Sequence, residues 1–313
     1  MSTNHYDAVL LIGFGGPENE AEIIPFLESV LKGRPVPQER FEEVAGHYRH
    51  MGGKSPYNEL TFRQRDALQV YLKEQGIFLP VYAGMRTWRP WMKDVVREMF
   101  DRGIRRPLGI VLAPHRCEAS FERYLKCVED AVTENKLSGF DIDYAGPWHE
   151  HPLFIEAVAG RIRETLGKSE PLKPAETLFL FTAHSIPQSM ADLSRYPSEI
   201  TDTSRRVMEL FPDFRWEVVY QSRSGNPRDS WLGPDIGERI AQLAEDGIKT
   251  AVVVPAGFLC DHVEILYDLD FEARGIASQC GVRFIRVPAV MDHPRFIALL
   301  GDWVREKIGV HSS

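Results

Sequence analysis

The chain has 313 residues, 43% of them apolar and 26% charged, with a formal net charge of −8 and no long basic run. This balance excludes nucleic acid as an expected partner, because phosphate backbones are bound by clustered lysines and arginines. The first residues lack the basic and apolar regions of a secretory signal, and no uncharged apolar run approaches the roughly 18 residues of a spanning helix. We therefore expect a cytoplasmic protein without an integral membrane segment, long enough for two domains.

Short apolar runs alternate with helical patterns through the first half of the chain. The runs are AVLLI at 8–12, LPVYAG at 79–84, PLGIVLA at 107–113 and FDIDYA at 140–145. Such alternation predicts parallel strands joined by helices on both faces of a sheet. The cluster GFGGP after the first run does not fit the dinucleotide fingerprint G-x-G-x-x-G, so nucleotide binding is disfavoured.

The second half repeats this pattern with TLFLF at 177–181, RWEVVY at 215–220, AVVV at 251–254 and VRFIRV at 282–287. The turns after the first two runs of each half also look alike. The sequence therefore predicts an α/β protein of two similar domains, each with a four-stranded parallel sheet, and an active-site cleft between them. We place the domains at 1–150 and 151–313. In an alternative, the C-terminal helix at 294–308 packs back on the first domain.

A line of carboxylates follows the third run of the second half. In PAGFLCDHVEILYDLDFE (255–272) a helix is predicted from about residue 261, and Glu264, Asp268 and Glu272 lie four residues apart. We call these three residues the acidic column. Each like-charged pair at this spacing costs roughly 0.2–0.5 kcal/mol in an isolated helix. Two interpretations remain open: a solvated helix face, or a column that attracts a cation or accepts protons.

His184 ends the first run of the second half, in FTAHSIP. Open α/β sheets bind ligands at the carboxyl ends of their strands, so His184 and Glu264 are expected to point into the same crevice. A histidine opposite carboxylates can bind a borderline divalent cation or act as a general base. A hydrogen-bonded loop histidine is the alternative, and the neighbouring carboxylates disfavour it.

Several of these motifs together resemble the ferrochelatases. They are LLIGFGGP, GGKSP, TAHSIP, QSRSGNPRDSWLGPD and the 255–272 segment, and HSIP with DHVEILYDLD is the most specific combination. The resemblance covers essentially the whole chain. It implies two Rossmann-like domains of the class II chelatase fold. It also implies insertion of Fe²⁺ into a porphyrin with release of two protons, in haem biosynthesis.

The resemblance also implies roles for individual residues. His184 matches the family's active-site histidine and Glu264 its facing carboxylate, as catalytic and metal-binding groups. Asp268 and Glu272 match the acidic line that leads away and complete the metal-binding set. Whether His184 mainly takes the pyrrole protons or mainly delivers the metal is left open. By resemblance, four residues line the porphyrin, with core packing as their alternative role: Phe14, Ser55, Tyr124 and Trp231.

Position 14 departs from the family pattern. Compact Gram-positive-type relatives carry a tyrosine there whose oxygen reaches the iron, whereas Phe14 cannot ligate a metal. Leu31 and His47 stand where those relatives carry arginine. Nearby cations that remain candidates to pair with porphyrin carboxylates are Lys32, Arg34, Arg49 and Lys54.

The compact soluble form favours coproporphyrin III over protoporphyrin IX, because four carboxylates keep that substrate in water. Fe²⁺ is expected as substrate, with no permanently bound cofactor and, since no cysteine follows Cys280, no C-terminal iron–sulfur cluster. A monomer is expected. The alternative of another class is a non-catalytic porphyrin or haem carrier, which would not need the acidic column. A cobalt or nickel chelatase is disfavoured because those relatives typically use paired histidines.

Two other histidine groups have weaker interpretations. His149 and His151 flank Glu150 in a loop between prolines, where a solvated loop is favoured over a surface metal site. His262 precedes Glu264 by two residues. On a helix it would point away from the acidic column, so a structural role is expected.

Overall fold

The computed structural model describes residues 6–32, 37–146, 148–223 and 230–309. Within these residues, the strands form two four-stranded parallel sheets. The first contains β1 (Ala8–Gly13), β2 (Val81–Met85), β3 (Pro107–Val111) and β4 (Asp143–Tyr144) in the order β2-β1-β3-β4. The second contains β5 (Thr177–His184), β6 (Arg215–Gln221), β7 (Thr250–Val254) and β8 (Arg283–Arg286) in the order β6-β5-β7-β8.

The two sheets thus share one topology, which confirms the predicted α/β class with two four-stranded parallel sheets. The central strands are mainly apolar because helices cover both faces of a parallel sheet. Every residue of β1 is buried. In β5 burial is continuous from Thr177 to Ala183 and ends at His184, which emerges at the carboxyl end of the strand.

Helices connect the strands. In the first half they are α1 (Ile23–Leu31), α2 (Gln38–His50), α3 (Tyr57–Glu74), α4 (Met92–Asp101) and α5 (Arg123–Glu134). In the second half they are α6 (Pro152–Leu166), α7 (Gln188–Asp192), α8 (Tyr196–Met208), α9 (Ile236–Leu243), α10 (Val263–Ile265), α11 (Arg274–Gln279) and α12 (Pro294–Lys307). A π-helical segment, Leu266–Ala273, joins α10 to α11. None of the described helices is long and apolar enough to cross a membrane.

The chain divides into two compact units. The first holds the described residues of Met1–Leu112, Phe121–Gly146 and Phe296–Ser313, and the second holds those of Ala113–Ser120 and Pro147–Arg295. These units are defined by compact packing and do not test the domain boundary predicted between residues 150 and 151, which stays a prediction. Two other features of the sequence analysis, Arg34 and residues 224–229 of QSRSGNPRDSWLGPD, lie outside the described residues.

The loop after β7 approaches β5 closely because Gly257 has no side chain. Its backbone N–H donates to the Thr182 carbonyl oxygen at 2.9 Å. A Cβ on Gly257 would lie 2.5 Å from the Cβ of Ala183, which is closer than real side chains pack. This contact fixes the loop that leads to Glu264 beside the strand that carries His184.

The helix carrying the acidic column begins later than predicted. The expectation of a helix from about residue 261 was wrong, because Asp261 has a different task in the loop. Its buried carboxylate accepts hydrogen bonds from Arg286 Nη1 at 2.8 Å and from the Ala289 N–H at 3.0 Å. The first helical residue is Val263, and from Leu266 the backbone is π-helical.

Candidate active site

His184, at the carboxyl end of β5, lies beside Glu264, which belongs to the short helix α10 that follows β7. The distance from His184 Nε2 to Glu264 Oε2 is 3.8 Å, and each side chain is about a third exposed, at 32% and 36%. Two donor atoms that share one cation lie within about 4.2 Å of each other, which is twice a usual Zn²⁺ ligand distance. The pair therefore has the spacing to share a divalent cation while remaining open to solvent.

Hydrogen bonding sets which nitrogen of His184 can act. Its Nδ1 contacts the carbonyl oxygen of Ser185. A carbonyl only accepts, so in the neutral ring Nδ1 carries the proton and Nε2 presents a lone pair toward Glu264. The backbone is held from the other side, where the buried Tyr196 hydroxyl donates to the His184 carbonyl oxygen at 3.0 Å.

Gln221, at the end of β6, links the two strands to the acidic column. Its side chain is fully buried, and its Oε1 accepts from the Thr182 hydroxyl at 2.9 Å. Its Nε2 donates to the Glu264 carbonyl oxygen and to Asp268 Oδ2, each at 3.3 Å. In the sequence Gln221 stood out only as the first residue of QSRSGNPRDSWLGPD. An amide side chain at the end of a predicted strand was the available signal.

Asp268 receives a second hydrogen bond from the Ser222 hydroxyl. Ser222 has a φ of +61°, which is uncommon for a residue with a side chain and is found often at functional sites. The pKa of Asp268 is raised to about 7, and burial is the largest cause. The carboxylates of Glu264 and Glu272 contribute to this rise, while the Ser222 hydrogen bond and His184 oppose it. Asp268 is therefore a carboxyl group that exchanges its proton near neutral pH.

The acidic column runs from Glu264 in α10 to Asp268 and Glu272 in the π-helical segment. Glu264 is partly exposed, Asp268 is partly buried and Glu272 is exposed. Hydrogen bonds from i to i+5 are rare in helices and are frequently found at functional sites. Sequence spacing correctly predicted that these carboxylates follow a strand, but it could not reveal the π-helical backbone.

His262 lies outside the helix, contrary to the assumption made from its spacing. It is the extended residue before Val263, with φ −105° and ψ −177°, and its ring packs 5.3 Å from that of Phe258. Burial lowers the pKa of His262, against the opposing effect of Glu264 and Asp261. The structural role expected for it stays a prediction.

In the first unit, Arg86 brings two of the expected porphyrin-lining residues together. Its guanidinium carbon lies 5.0 Å from the ring centre of Phe14 and 5.3 Å from that of Tyr124. The Arg86 Nε atom is buried and has no hydrogen-bond acceptor among the described residues. Sequence reasoning missed Arg86, although it immediately follows β2 and so had the same signal as His184.

Of the other two residues expected to line the porphyrin, Ser55 belongs to the first unit and Trp231 to the second. Ser55 is buried beside Gly16, and its backbone N–H donates to the Pro17 carbonyl oxygen at 2.8 Å. Trp231, in the second unit, is partly exposed and pairs with Pro187 in the loop that follows His184. Among the cations named from sequence, Lys54 pairs with Glu59 at 3.5 Å, and Arg49 lies near acidic side chains on the surface.

A cavity of about 570 Å³ lies at the other end of the second sheet. Its lining includes Leu178, Arg215 and Ile248, which stand at or next to the amino ends of β5, β6 and β7. His184 is six residues further along β5, or about 20 Å at the usual rise of a strand. The cavity is therefore remote from the His184–Glu264 pair.

Comparison with known proteins identifies the family of this site. The family model described as Ferrochelatase matches residues 6–308. A ferrochelatase from Rhodopirellula baltica is 38% identical over 308 residues, covering 97% of this chain and 87% of that protein. A coproporphyrin III ferrochelatase from Leifsonia xyli is 37% identical over 327 residues, covering 96% of this chain and 84% of that protein.

Solved structures agree at the level of the fold. The sirohydrochlorin chelatase SirB from Bacillus subtilis, in complex with cobalt, has a TM-score of 0.56 at 13% identity, covering 97% of this chain and 96% of that chain. A multi-domain chelatase-like protein from Deinococcus radiodurans also has a TM-score of 0.56, at 15% identity. This match covers 98% of this chain but 56% of that longer one. With the sequence match over nearly its whole length, the chain belongs to the ferrochelatase family.

Proposed function

We propose that this chain inserts Fe²⁺ into coproporphyrin III and releases two protons, as a cytoplasmic monomer without a resident cofactor. Family membership already makes the chain a metal chelatase of haem biosynthesis. The proposal adds the porphyrin, the proton release and the residues that carry them out. The observation that carries it is the His184–Glu264 pair, 3.8 Å apart and joined through Gln221 to Asp268.

Insertion exchanges two pyrrole protons for one Fe²⁺, so the site needs both a metal ligand and a proton acceptor. The lone pair on His184 Nε2 can serve either purpose, but only one at a time. With Glu264 it forms an imidazole–carboxylate pair that suits Fe²⁺ and leaves coordination positions open. Asp268, with a pKa of about 7, can take the two pyrrole protons in turn and pass each toward the exposed Glu272 and solvent.

Porphyrin binding is assigned to Phe14, Ser55, Tyr124 and Trp231, and we add Arg86. Aromatic side chains offer flat apolar surface to a macrocycle, and a few polar groups orient it. The Arg86 guanidinium lies beside two of these aromatic rings and keeps a buried N–H without an acceptor. A carboxylate of the porphyrin would satisfy that donor with a charge-assisted hydrogen bond.

The choice of coproporphyrin III is supported by relatives. Proteins named coproporphyrin III ferrochelatase from Leifsonia xyli and Streptomyces coelicolor are 37% and 36% identical to this chain over at least 96% of its length. A substrate with four carboxylates also needs cationic partners, which is the role proposed for Arg86.

Anaerobic Fe²⁺ insertion, followed by absorbance with coproporphyrin III and protoporphyrin IX offered separately, tests the proposal. We expect turnover of both, with the higher kcat/KM for coproporphyrin III. A higher kcat/KM for protoporphyrin IX would overturn the substrate assignment alone. Binding of both porphyrins without turnover would instead indicate a carrier.

A further inference from the structure

A second group of potential metal ligands lies on the connection that precedes α6. His149 and Glu150 occupy this turn, and Asp202 lies on α8, which packs against α6 in the same unit. The ligand atoms of the three side chains all lie within 4.8 Å of one another. None of these residues takes part in the mechanism proposed for His184 and Glu264.

His149 supplies the observation that points to a ligand. The favoured interpretation of this segment as a solvated loop was wrong for His149, whose exposed fraction is only 5%. Its Nε2 is buried without a hydrogen-bond partner in the described part of the chain. The Glu150 Oε1 atom lies 3.7 Å from it, which is too far for a hydrogen bond. A buried, unsatisfied nitrogen aimed at a carboxylate is costly unless something binds between them.

The surroundings of His149 fix its backbone and place a second carboxylate near its other ring nitrogen, beyond hydrogen-bond distance. The backbone carbonyl of His149 accepts a hydrogen bond from the Thr203 hydroxyl at 3.0 Å. Its Nδ1 faces the buried carboxylate of Glu199 at 4.0 Å, and that carboxylate is fixed by the Arg116 N–H at 2.8 Å. Ligating histidines generally direct their second ring nitrogen at a carboxylate or carbonyl, which orients the ring.

We propose that His149, Glu150 and Asp202 bind a borderline divalent cation of the Zn²⁺ or Fe²⁺ class. One imidazole and two carboxylates suit such a cation better than Mg²⁺ or Ca²⁺, which prefer all-oxygen sites. The ligand atoms must approach to within about 4.2 Å of one another. Glu150 and Asp202 can make this adjustment because their side chains are 51% and 38% exposed.

Neighbouring arginines do not prevent binding. Arg206 lies 3.6 Å from Glu150, and Arg205 lies 3.7 Å from Asp202. Both arginines are exposed enough, at 38% and 48%, to swing into solvent when a cation takes their place. Exposed pairs of this kind contribute little to stability, so their loss weakens metal binding only slightly.

The test measures Zn²⁺ binding by equilibrium dialysis to the full chain and to the double variant Glu150→Gln, Asp202→Asn. A matched control, Glu156→Gln, Asp192→Asn, removes the same charge from two exposed positions in the same unit. The His184–Glu264 pair is intact in all three proteins and contributes equally. We expect the chain and the control to bind one more Zn²⁺ than the double variant, or to bind it at least tenfold more tightly.

Thermal unfolding of the same proteins supplies a second readout. Without metal, the midpoints should agree, because the replaced side chains are partly or fully exposed. With Zn²⁺, the unfolding midpoints of the chain and the control should rise, and that of the double variant should rise less. Equal number and affinity of Zn²⁺ in the double variant would overturn the proposal. The proposal would also be overturned if Glu264→Gln removed all of the Zn²⁺ that the unsubstituted chain binds.

Discussion

At the scale of single residues, the proposed chemistry depends on one nitrogen atom. The Ser185 carbonyl fixes the proton of His184 on Nδ1, so Nε2 is the only ring atom that can meet metal or a pyrrole proton. Glu264 faces that atom. A residue that acts in this way should affect turnover and leave porphyrin affinity largely unchanged.

We therefore expect His184→Ala to lower kcat for Fe²⁺ insertion by at least a hundredfold, in line with the usual contribution of general acid–base groups. Glu264→Gln should also lower kcat severely, since it removes the charge at nearly constant volume. Porphyrin affinity, measured by fluorescence quenching, should change little in either variant. Near-normal turnover of His184→Ala would contradict the mechanism.

The raised pKa of Asp268 predicts how the free energy of unfolding depends on pH. Its pKa rises from an ordinary 3.8 to about 7 on folding, so between these values the folded chain binds the extra proton. Asp268 therefore stabilises the folded chain at low pH, and this stabilisation is lost as pH rises from about 4 to 7. The amide in Asp268→Asn stays uncharged, so this variant should keep its stability as pH rises. The stability that the unsubstituted chain loses is on the order of a few kcal/mol before solvent screening.

Urea unfolding of both proteins at several pH values between 4 and 8 measures that difference. The free energy of unfolding of Asp268→Asn relative to the unsubstituted chain should rise through this window and level off above about pH 7. A difference that stays constant with pH would mean that Asp268 is ionised across the range.

At the scale of elements, the site depends on how closely the loop after β7 approaches β5. Sequence reasoning placed His184 and Glu264 together because the carboxyl ends of parallel strands share one edge of a sheet. It could not predict the π-helical backbone from Leu266, since that depends on contacts that form only in the fold. Nor could it predict the bond from Gln221 to Asp268, which joins residues 47 positions apart.

Gly257→Ala should disturb this approach. The added Cβ would lie 2.6 Å from the Ala183 Cα, a backbone atom that cannot move without shifting β5. We expect a loss of about 1–3 kcal/mol in the free energy of unfolding, as for overpacked cores, together with reduced kcat. Gly275→Ala, in helix α11 with no atom near the new Cβ, is the matched control and should be neutral or slightly stabilising. Equal effects of the two substitutions would refute the argument.

At the scale of the whole molecule, the two units carry different parts of the proposed task. Residues proposed for proton and metal transfer, such as His184 and Asp268, lie in the second unit. Of the five residues proposed to bind the porphyrin, Trp231 lies in the second unit and the other four lie in the first, namely Phe14, Ser55, Arg86 and Tyr124. The two four-stranded parallel sheets were readable from the sequence because most strands are short apolar runs that alternate with helical segments. The cluster of Phe14, Arg86 and Tyr124 was not readable from the sequence, because these residues come from three distant segments of the chain.

This division predicts that substitutions in the first unit affect substrate affinity more than turnover. Arg86→Gln should raise KM for coproporphyrin III roughly 10- to 100-fold, the equivalent of one hydrogen bond to a charged group, while kcat stays within a few-fold. Arg97→Gln, an exposed arginine on α4 paired with Asp101, removes the same charge from the same unit and should leave KM unchanged. If Arg86→Gln lowered kcat at constant KM, the guanidinium would act on the reaction itself, and its assignment to a porphyrin carboxylate would be wrong.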